Sequence, residues 1–217
     1  MLGKRVIEPE LLEHAPVEEA RANLADIVRL NERFGGHGVL RNVLSEVVNG
    51  DPAFTLLDIG AASGDTARLV AQLYPKARVT SLDSNEVNLA EAPQPKLLAD
   101  AFDLPFEPDS FDFVYCSLFL HHFEDAAVSK LMASFYRVAR RALLISDLER
   151  HVLPYLFFPV TKPFLGWRRM TVHDGMTSVR AAFRACEMRA LAKDAGLAHA
   201  QVRAHRPAFR LSLVAMK

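Results

Sequence analysis

"LLDIGAASGDT", residues 56–66, is an apolar run that meets an acid at Asp58 and then passes into a loop of small residues. The run reads as a buried strand. Gly60, Ala61, Ala62, Ser63 and Gly64 offer almost no side chain, so the loop is either a tight turn or a place where backbone comes close to a ligand. Asp65 and Thr66 suit a helix N-terminus, which makes the unit strand, loop, helix.

Outward from this unit, apolar runs at 54–59, 78–83, 96–99, 111–117, 142–147, 199–205 and 209–216 predict seven strands. Helical patterns fall between them: "GDTARLVAQLY", a short "SNEVNLAEA", "EDAAVSKLMASFYRVA" and "SVRAAFRACEMRALAKDAG". Strand and helix alternating at this rhythm imply an α/β fold with a doubly wound, mostly parallel seven-stranded sheet and helices on both faces. The last two strands have no helix between them and meet at Pro207, so they pair as an antiparallel hairpin. Two amphipathic helices, at 17–34 and about 39–48, precede the sheet as an N-terminal cap, with the turn signal "NGDP" after them. The expected organisation is one domain over 1–217: cap 1–50, core 53–147, an insertion at 150–178, then a helix and the hairpin over 179–217.

Lys plus Arg number 26 and Asp plus Glu number 26, so net charge recommends neither nucleic acid nor an anionic membrane as partner. Cys116 and Cys186 lie far apart in periodic apolar segments, which fits reduced thiols and a cytoplasmic setting. No signal peptide or transmembrane segment is expected, because acids and prolines interrupt the N-terminus and prolines break "VLPYLFFPVTKPFLGW". No zinc-ligand spacing occurs, and no carboxylate–histidine cluster with ligand spacing accompanies His121 and His122, so no metal is expected.

In an open parallel sheet, ligands bind outside the carboxyl ends of the strands, where the strand order reverses. The loop 60–64 stands there. It does not match a dinucleotide fingerprint, since Ala62 and Asp65 occupy positions that pattern gives to glycine, and an acid at the helix start repels a pyrophosphate.

The loop resembles instead the first motif of the class I, Rossmann-like S-adenosylmethionine-dependent methyltransferases, acid-x-Gly-x-Gly-x-Gly, through Asp58, Gly60 and Gly64. Ala62 stands where the middle glycine usually is, a tolerable change if its φ is negative. "SLDSN" ends the second strand on Asp83 and Ser84, about 20 residues on, where the family's acid takes both ribose hydroxyls. "LLADAFDLPFEPDSFDFVYCS" is similar to the family's passage from third to fourth strand: Asp100 and Ala101 stand where the adenine amino group is met, and Phe102 where a ring packs on adenine. Asp112 and Ser117 fall early and late in the fourth strand. The resemblance implies S-adenosylmethionine as cofactor and S-adenosylhomocysteine as product, with Asp58, Gly60, Ala61, Ala62, Gly64, Asp83, Ser84, Asp100, Ala101, Phe102 and Ser117 around it.

Methyl transfer from a sulfonium needs proximity and orientation more than an elaborate catalytic apparatus. His121 and His122, after the fourth strand, are the candidate general bases, the alternative being loop structure. Asp147 and Glu149 either orient a substrate or pair with Arg150. The insertion's Tyr155, Phe158 and Trp167, with His173, are candidate substrate contacts in an aromatic lid; the alternatives are a satellite core and a weak membrane-surface contact through Lys162, Arg168 and Arg169. Asp174-Gly175 reads as a turn and Ser178 as an N-cap, and His37 stands among glycines that could let it close over the cofactor. The expected function is methyl transfer to a hydrophobic small molecule, by O-methylation of a phenolic or polyketide-like acceptor. The alternatives are C-methylation of a quinone-type ring or lipid, and a non-catalytic S-adenosylmethionine-binding module.

Overall fold

The computed structural model describes residues 2–50 and 53–217. Asp51 and Pro52, half of the turn signal between cap and core, lie outside the described residues. Helix α1 spans Val17–Arg33 and α2 Gly36–Val47. The alternating part then runs β1 (Thr55–Ile59), α3 (Asp65–Leu73), β2 (Arg78–Asp83), α4 (Glu86–Leu89), β3 (Lys96–Leu98), β4 (Phe111–Ser117), α5 (Asp125–Val138) and β5 (Ala139–Leu148). After it come α6 (Val152–Leu165), α7 (Arg169–Ala181), α8 (Ala185–Asp194), β6 (Gln201–His205) and β7 (Arg210–Met216). Two single 3-10 turns, Leu11–His14 and Leu120–His122, complete the list.

The seven strands form one sheet of order β3-β2-β1-β4-β5-β7-β6. Neighbours from β3 to β5 are parallel, and β7 runs antiparallel to both β5 and β6. The strand order reverses between β1 and β4, so their carboxyl ends open a crevice. Alternation along each strand divides the core. Leu57, Ile59, Val114, Cys116, Leu143 and Ile145 pack with α5 and α8, while Leu56, Phe113, Tyr115, Ala142 and Leu144 pack with α2 and α3. All eleven are at least 98 % buried, and burying each large apolar side chain contributes about 2 kcal/mol, which holds the loop ends in register.

Several expectations change. Helix α2 opens at Gly36, ahead of the expected start near 39, with Gly35 at φ 95° making the bend after α1. The insertion consists of two helices, and Pro159 and Pro163 lie inside α6. Asp174, Gly175 and Ser178 are interior to α7, so neither the turn nor the N-cap forms. The reason is tertiary: a Cβ on Gly175 would meet the Phe158 ring at 2.5 Å, so this glycine serves helix contact. Asp174 instead accepts the N–H groups of Leu11 and Leu12 at 2.9 and 3.1 Å, capping the N-terminal segment from outside. Helix α8 therefore begins only at Ala185, after a bridge between Phe183 and Glu149.

Candidate functional site

Gly60, at φ 71°, turns the chain off the end of β1, and its N–H and that of Ala61 donate to the Leu82 carbonyl of β2 at 2.9 and 3.0 Å. A Cβ at Gly60 would lie 2.6 Å from the Phe119 ring, so only glycine lets the loop after β4 close down on it. Ala62 departs from expectation. Its φ is +45°, a left-handed conformation costing about 1 kcal/mol for a residue with a Cβ. Its N–H donates to Asp83 Oδ2 at 3.0 Å, which offsets that cost and ties the loop to β2.

Asp58 is buried beneath the loop. Burial pushes its carboxyl well above the usual range; the Thr66 hydrogen bond opposes this, and the nearby Asp65 and Asp83 charges add to it. Its Oδ2 has no partner among the described residues. Asp83 is also raised by burial, against the N–H groups of Asn85 and Ala62 that bond to it.

A cavity of about 320 Å³ lies beside this loop at the carboxyl edge. Gly60, Asp83, Ser84, Asp100, Ala101 and Phe102 line it, six of the residues expected around the cofactor. Leu82, Ala99, Phe119 and Phe123 complete the wall. Phe119 and Phe123 stand within "SLFLHHFED" with no motif to mark them; their rings meet edge to face at 5.0 Å, and Phe123 meets Phe102 at 5.2 Å. The wall is thus apolar with two carboxylates, Asp83 and Asp100, on it. Such a slot fits an adenosine group, whose base is flat and whose ribose hydroxyls donate to a carboxylate, and the unpartnered Asp58 Oδ2 under the loop fits a nearby ammonium. Ser117 lies next to the cavity's strand but does not line it; it pairs with Ser146 across β4 and β5. A wider depression of about 500 Å³, by Glu46, Gln201 and Arg203, sits at the amino end of the parallel strands and is remote from this chemistry.

Beyond Phe123 stands a charged cluster. His121 Nδ1 is 2.7 Å from Asp147 Oδ1, and its Nε2 is 3.9 Å from Glu10 Oε1. Burial opposes a charge on His121, but the two carboxylates outweigh it and raise its pKa to about 9. His122, whose ring lies 4.2 Å from that of His121, is lowered by burial and by the His121 charge. His121 is therefore an imidazolium at neutral pH and His122 is free to accept a proton. The sequence gives no carboxylate–histidine cluster at ligand spacing there, yet the fold brings Glu10 to the pair from 111 residues away, and one donor atom from each of Glu10, His121 and His122 lies within 4.8 Å of the others. The N-terminal segment is held there by Arg5, which donates to the carbonyls of Ala181, His121 and Phe123.

The other predicted residues are placed elsewhere. Tyr155, Phe158, Trp167 and His173 do not line the cavity. Trp167 is 4 % exposed and packs on Phe34 and Phe157, with Arg29 over its ring, so the satellite-core alternative describes it. His173 is half exposed and bonds to Asp174. Arg150 pairs with Glu187, not with Asp147 or Glu149, and Glu149 pairs with Arg206. His37 Nε2 lies 2.9 Å from Asp65, joining α2 to the start of α3. Asp112 accepts the Thr55 N–H at 2.9 Å and pairs with Arg140 at the opposite end of the sheet.

Residues 57–143 match the methyltransferase domain family. Over 99 residues the chain is 34 % identical to a ubiquinone/menaquinone biosynthesis C-methyltransferase of Desulfotalea psychrophila, covering 42 % of this chain and 39 % of that protein. Over 90 residues it is 37 % identical to a methyltransferase of Strobilurus tenacellus, covering 40 % and 32 %. The chain thus spans less than two thirds of either relative. Among solved structures, the plantazolicin methyltransferase BpumL with S-adenosylhomocysteine and a desmethyl analogue superposes at TM-score 0.71 and 12 % identity, covering 95 % of this chain and 93 % of that one. The magnesium protoporphyrin IX methyltransferase of Synechocystis, with bound S-adenosylhomocysteine, superposes at TM-score 0.59 and 19 % identity, covering 84 % of each. At these identities the structural likeness is one of fold. Residues 57–143, which carry the loop after β1, thus match the methyltransferase domain family, on a sheet whose fold these solved methyltransferases share.

Proposed function

We propose that the protein transfers a methyl group from S-adenosylmethionine to a hydroxyl oxygen of an apolar acceptor such as a phenol. Asp83 and Asp100 would hold ribose and adenine in the cavity, Phe102 would pack on the base, and the backbone at Gly60 and Ala61 would pass against the cofactor. When bound, the sulfonium supplies an activated methyl group. The chain's own task is to orient the acceptor, exclude water and take up one proton.

The observation that carries this reading is the division of charge between the two histidines. His121, held between Asp147 and Glu10, keeps its protons; His122, depressed by burial and by its charged neighbour, has a free nitrogen at neutral pH. Its ring lies 6.5 Å from that of Phe123, which lines the cavity, and this nearness supports the role. His122 is the proton acceptor in this scheme, and His121 is a positioning residue.

C-methylation of a quinone-type ring is the second reading, favoured by the 34 % identity to the quinone-pathway C-methyltransferase. The deciding experiment incubates the protein with methyl-13C-labelled cofactor and a panel of phenols and hydroquinones, then reads the product by NMR as methoxy or ring methyl. His122→Ala is expected to lower turnover about 100-fold while leaving cofactor affinity unchanged, the usual size of a lost general base. Full activity of that variant removes His122 from the scheme. Cofactor binding without turnover on any acceptor leaves the non-catalytic module.

A further inference from the structure

Helix α6 has no buried residue and shows two different faces. Its inner side is fully engaged: Phe158 rests on Gly175, Phe157 meets Phe34 at 4.8 Å, and Thr161 accepts the Trp167 indole N–H at 2.9 Å. Its outer side carries Leu153, Leu156, Val160 and Phe164, which fall on one face of a helix. Phe164 is 82 % exposed and Val160 62 %, the two most exposed large apolar residues among those described. None of these four side chains lines the cavity at the carboxyl edge. Nor is the helix a span, since no described helix is long and apolar enough to cross a membrane.

The charge around the stripe is one-sided. From His151 to Arg169 the sequence holds no Asp or Glu. Lys162 and Arg169 have no carboxylate partner among the described residues, while Arg29 and Arg168 share the single buried carboxylate of Asp26 and leave that trio with a surplus positive charge. Two copies meeting through this stripe would bring like charges together. An anionic lipid surface complements both features: acyl chains take the stripe and head groups take the cations.

We infer that α6 is an in-plane membrane anchor, lying flat on an anionic bilayer with Leu153, Leu156, Val160 and Phe164 inserted and Lys162 and Arg169 at the phosphates. This goes beyond the catalytic reading and does not depend on which acceptor is methylated. The net charge of zero, which spoke against a membrane partner, conceals this local surplus.

The test is flotation of the full chain with vesicles of phosphatidylcholine alone and of phosphatidylcholine mixed equally with phosphatidylglycerol, at low and high salt. Binding is expected on the mixed vesicles, at least about fivefold weaker on the neutral ones and weakened by salt, as for a surface potential acting on a few cations. Val160→Ser with Phe164→Ser is expected to reduce it at least about tenfold, the apolar area being lost. Lys162→Glu with Arg169→Glu should reduce it by about 25-fold or more. All four side chains are surface groups, so an unchanged urea midpoint certifies the fold of each variant. Wild-type protein that stays unbound with both vesicles, or variants that float as well as wild type, overturns the inference. So does a self-association seen by sedimentation velocity that the Ser variants abolish while no vesicle binding occurs.

Discussion

His121 Nδ1 lies 2.7 Å from Asp147 Oδ1, inside the protein, with both side chains at most 3 % exposed. A charge pair so placed is stabilising only while both partners are ionised. His121 has its folded pKa raised to about 9, above the usual 6.5, by Asp147 and by Glu10, against burial. Its contribution to stability is therefore complete below about pH 6.5 and lost as the pH rises through about 9. Urea unfolding of the wild type across that window is expected to show a decline of about 3 kcal/mol that His121→Gln lacks. Asp147→Asn, which leaves a buried cation facing no full charge on that side, is expected to cost about 3 kcal/mol at pH 7. A flat difference between wild type and His121→Gln over that range would refute the ion pair.

Asp58 behaves in the opposite way to a salt-bridged acid. Its folded pKa is raised by burial, so its stabilising neutral form prevails below the unfolded pKa and its contribution falls as pH rises through the folded one. Asp58→Asn keeps the shape and removes the ionisation. The variant is expected to unfold about 1 kcal/mol later than wild type at neutral pH without ligand, a rise of a few degrees in Tm. Calorimetry should at the same time show weaker S-adenosylmethionine binding. A Tm below that of the wild type would contradict the assignment.

The loop after β1 contains two positive φ angles with opposite consequences. Gly60→Ala places a Cβ 2.6 Å from the Phe119 ring at φ 71°, and is expected to destabilise by about 2 kcal/mol and to move the β4 loop. Ala62→Gly relieves a left-handed alanine at the cost of some chain entropy, and is expected to gain about 0.5 kcal/mol. Chemical denaturation of the two variants checks the pair. A loss on Ala62→Gly would mean that the loop prefers a negative φ there.

Asp83 both braces the loop, through the Ala62 N–H at 3.0 Å, and presents a carboxylate to the cavity. Asp83→Ala is expected to weaken S-adenosylmethionine binding about 100-fold, the loss of two charge-assisted hydrogen bonds. Isothermal titration with unchanged affinity would remove Asp83 from the ribose site.

The strands were legible because each is a short apolar run in which alternate residues face different helix layers, and that pattern survives any packing detail. The crevice was legible for a similar reason: Asp58, Gly60 and Asp83 act through chain geometry at strand ends, which local spacing records. The helix through 152–165 was not legible, because a helix lying on the surface can forgo the N–H groups of Pro159 and Pro163 when its other side is anchored on Gly175 and Phe34. Asp174 and Gly175 likewise read as a turn, and only their contacts with Leu11, Leu12 and Phe158 show why a helix runs through them.

The sequence by itself determined the mostly parallel sheet with its C-terminal hairpin and the small-residue loop at the ligand edge, since these depend on periodicity and on residues lacking bulk. Tertiary structure decided the character of the two histidines. Adjacent in the chain and alike in chemistry, His121 and His122 differ because folding seats His121 Nδ1 against Asp147 at 2.7 Å, while His122, also near Glu10, is depressed by burial and by the His121 charge. Charge interactions in a dry interior depend on distances that no local pattern encodes.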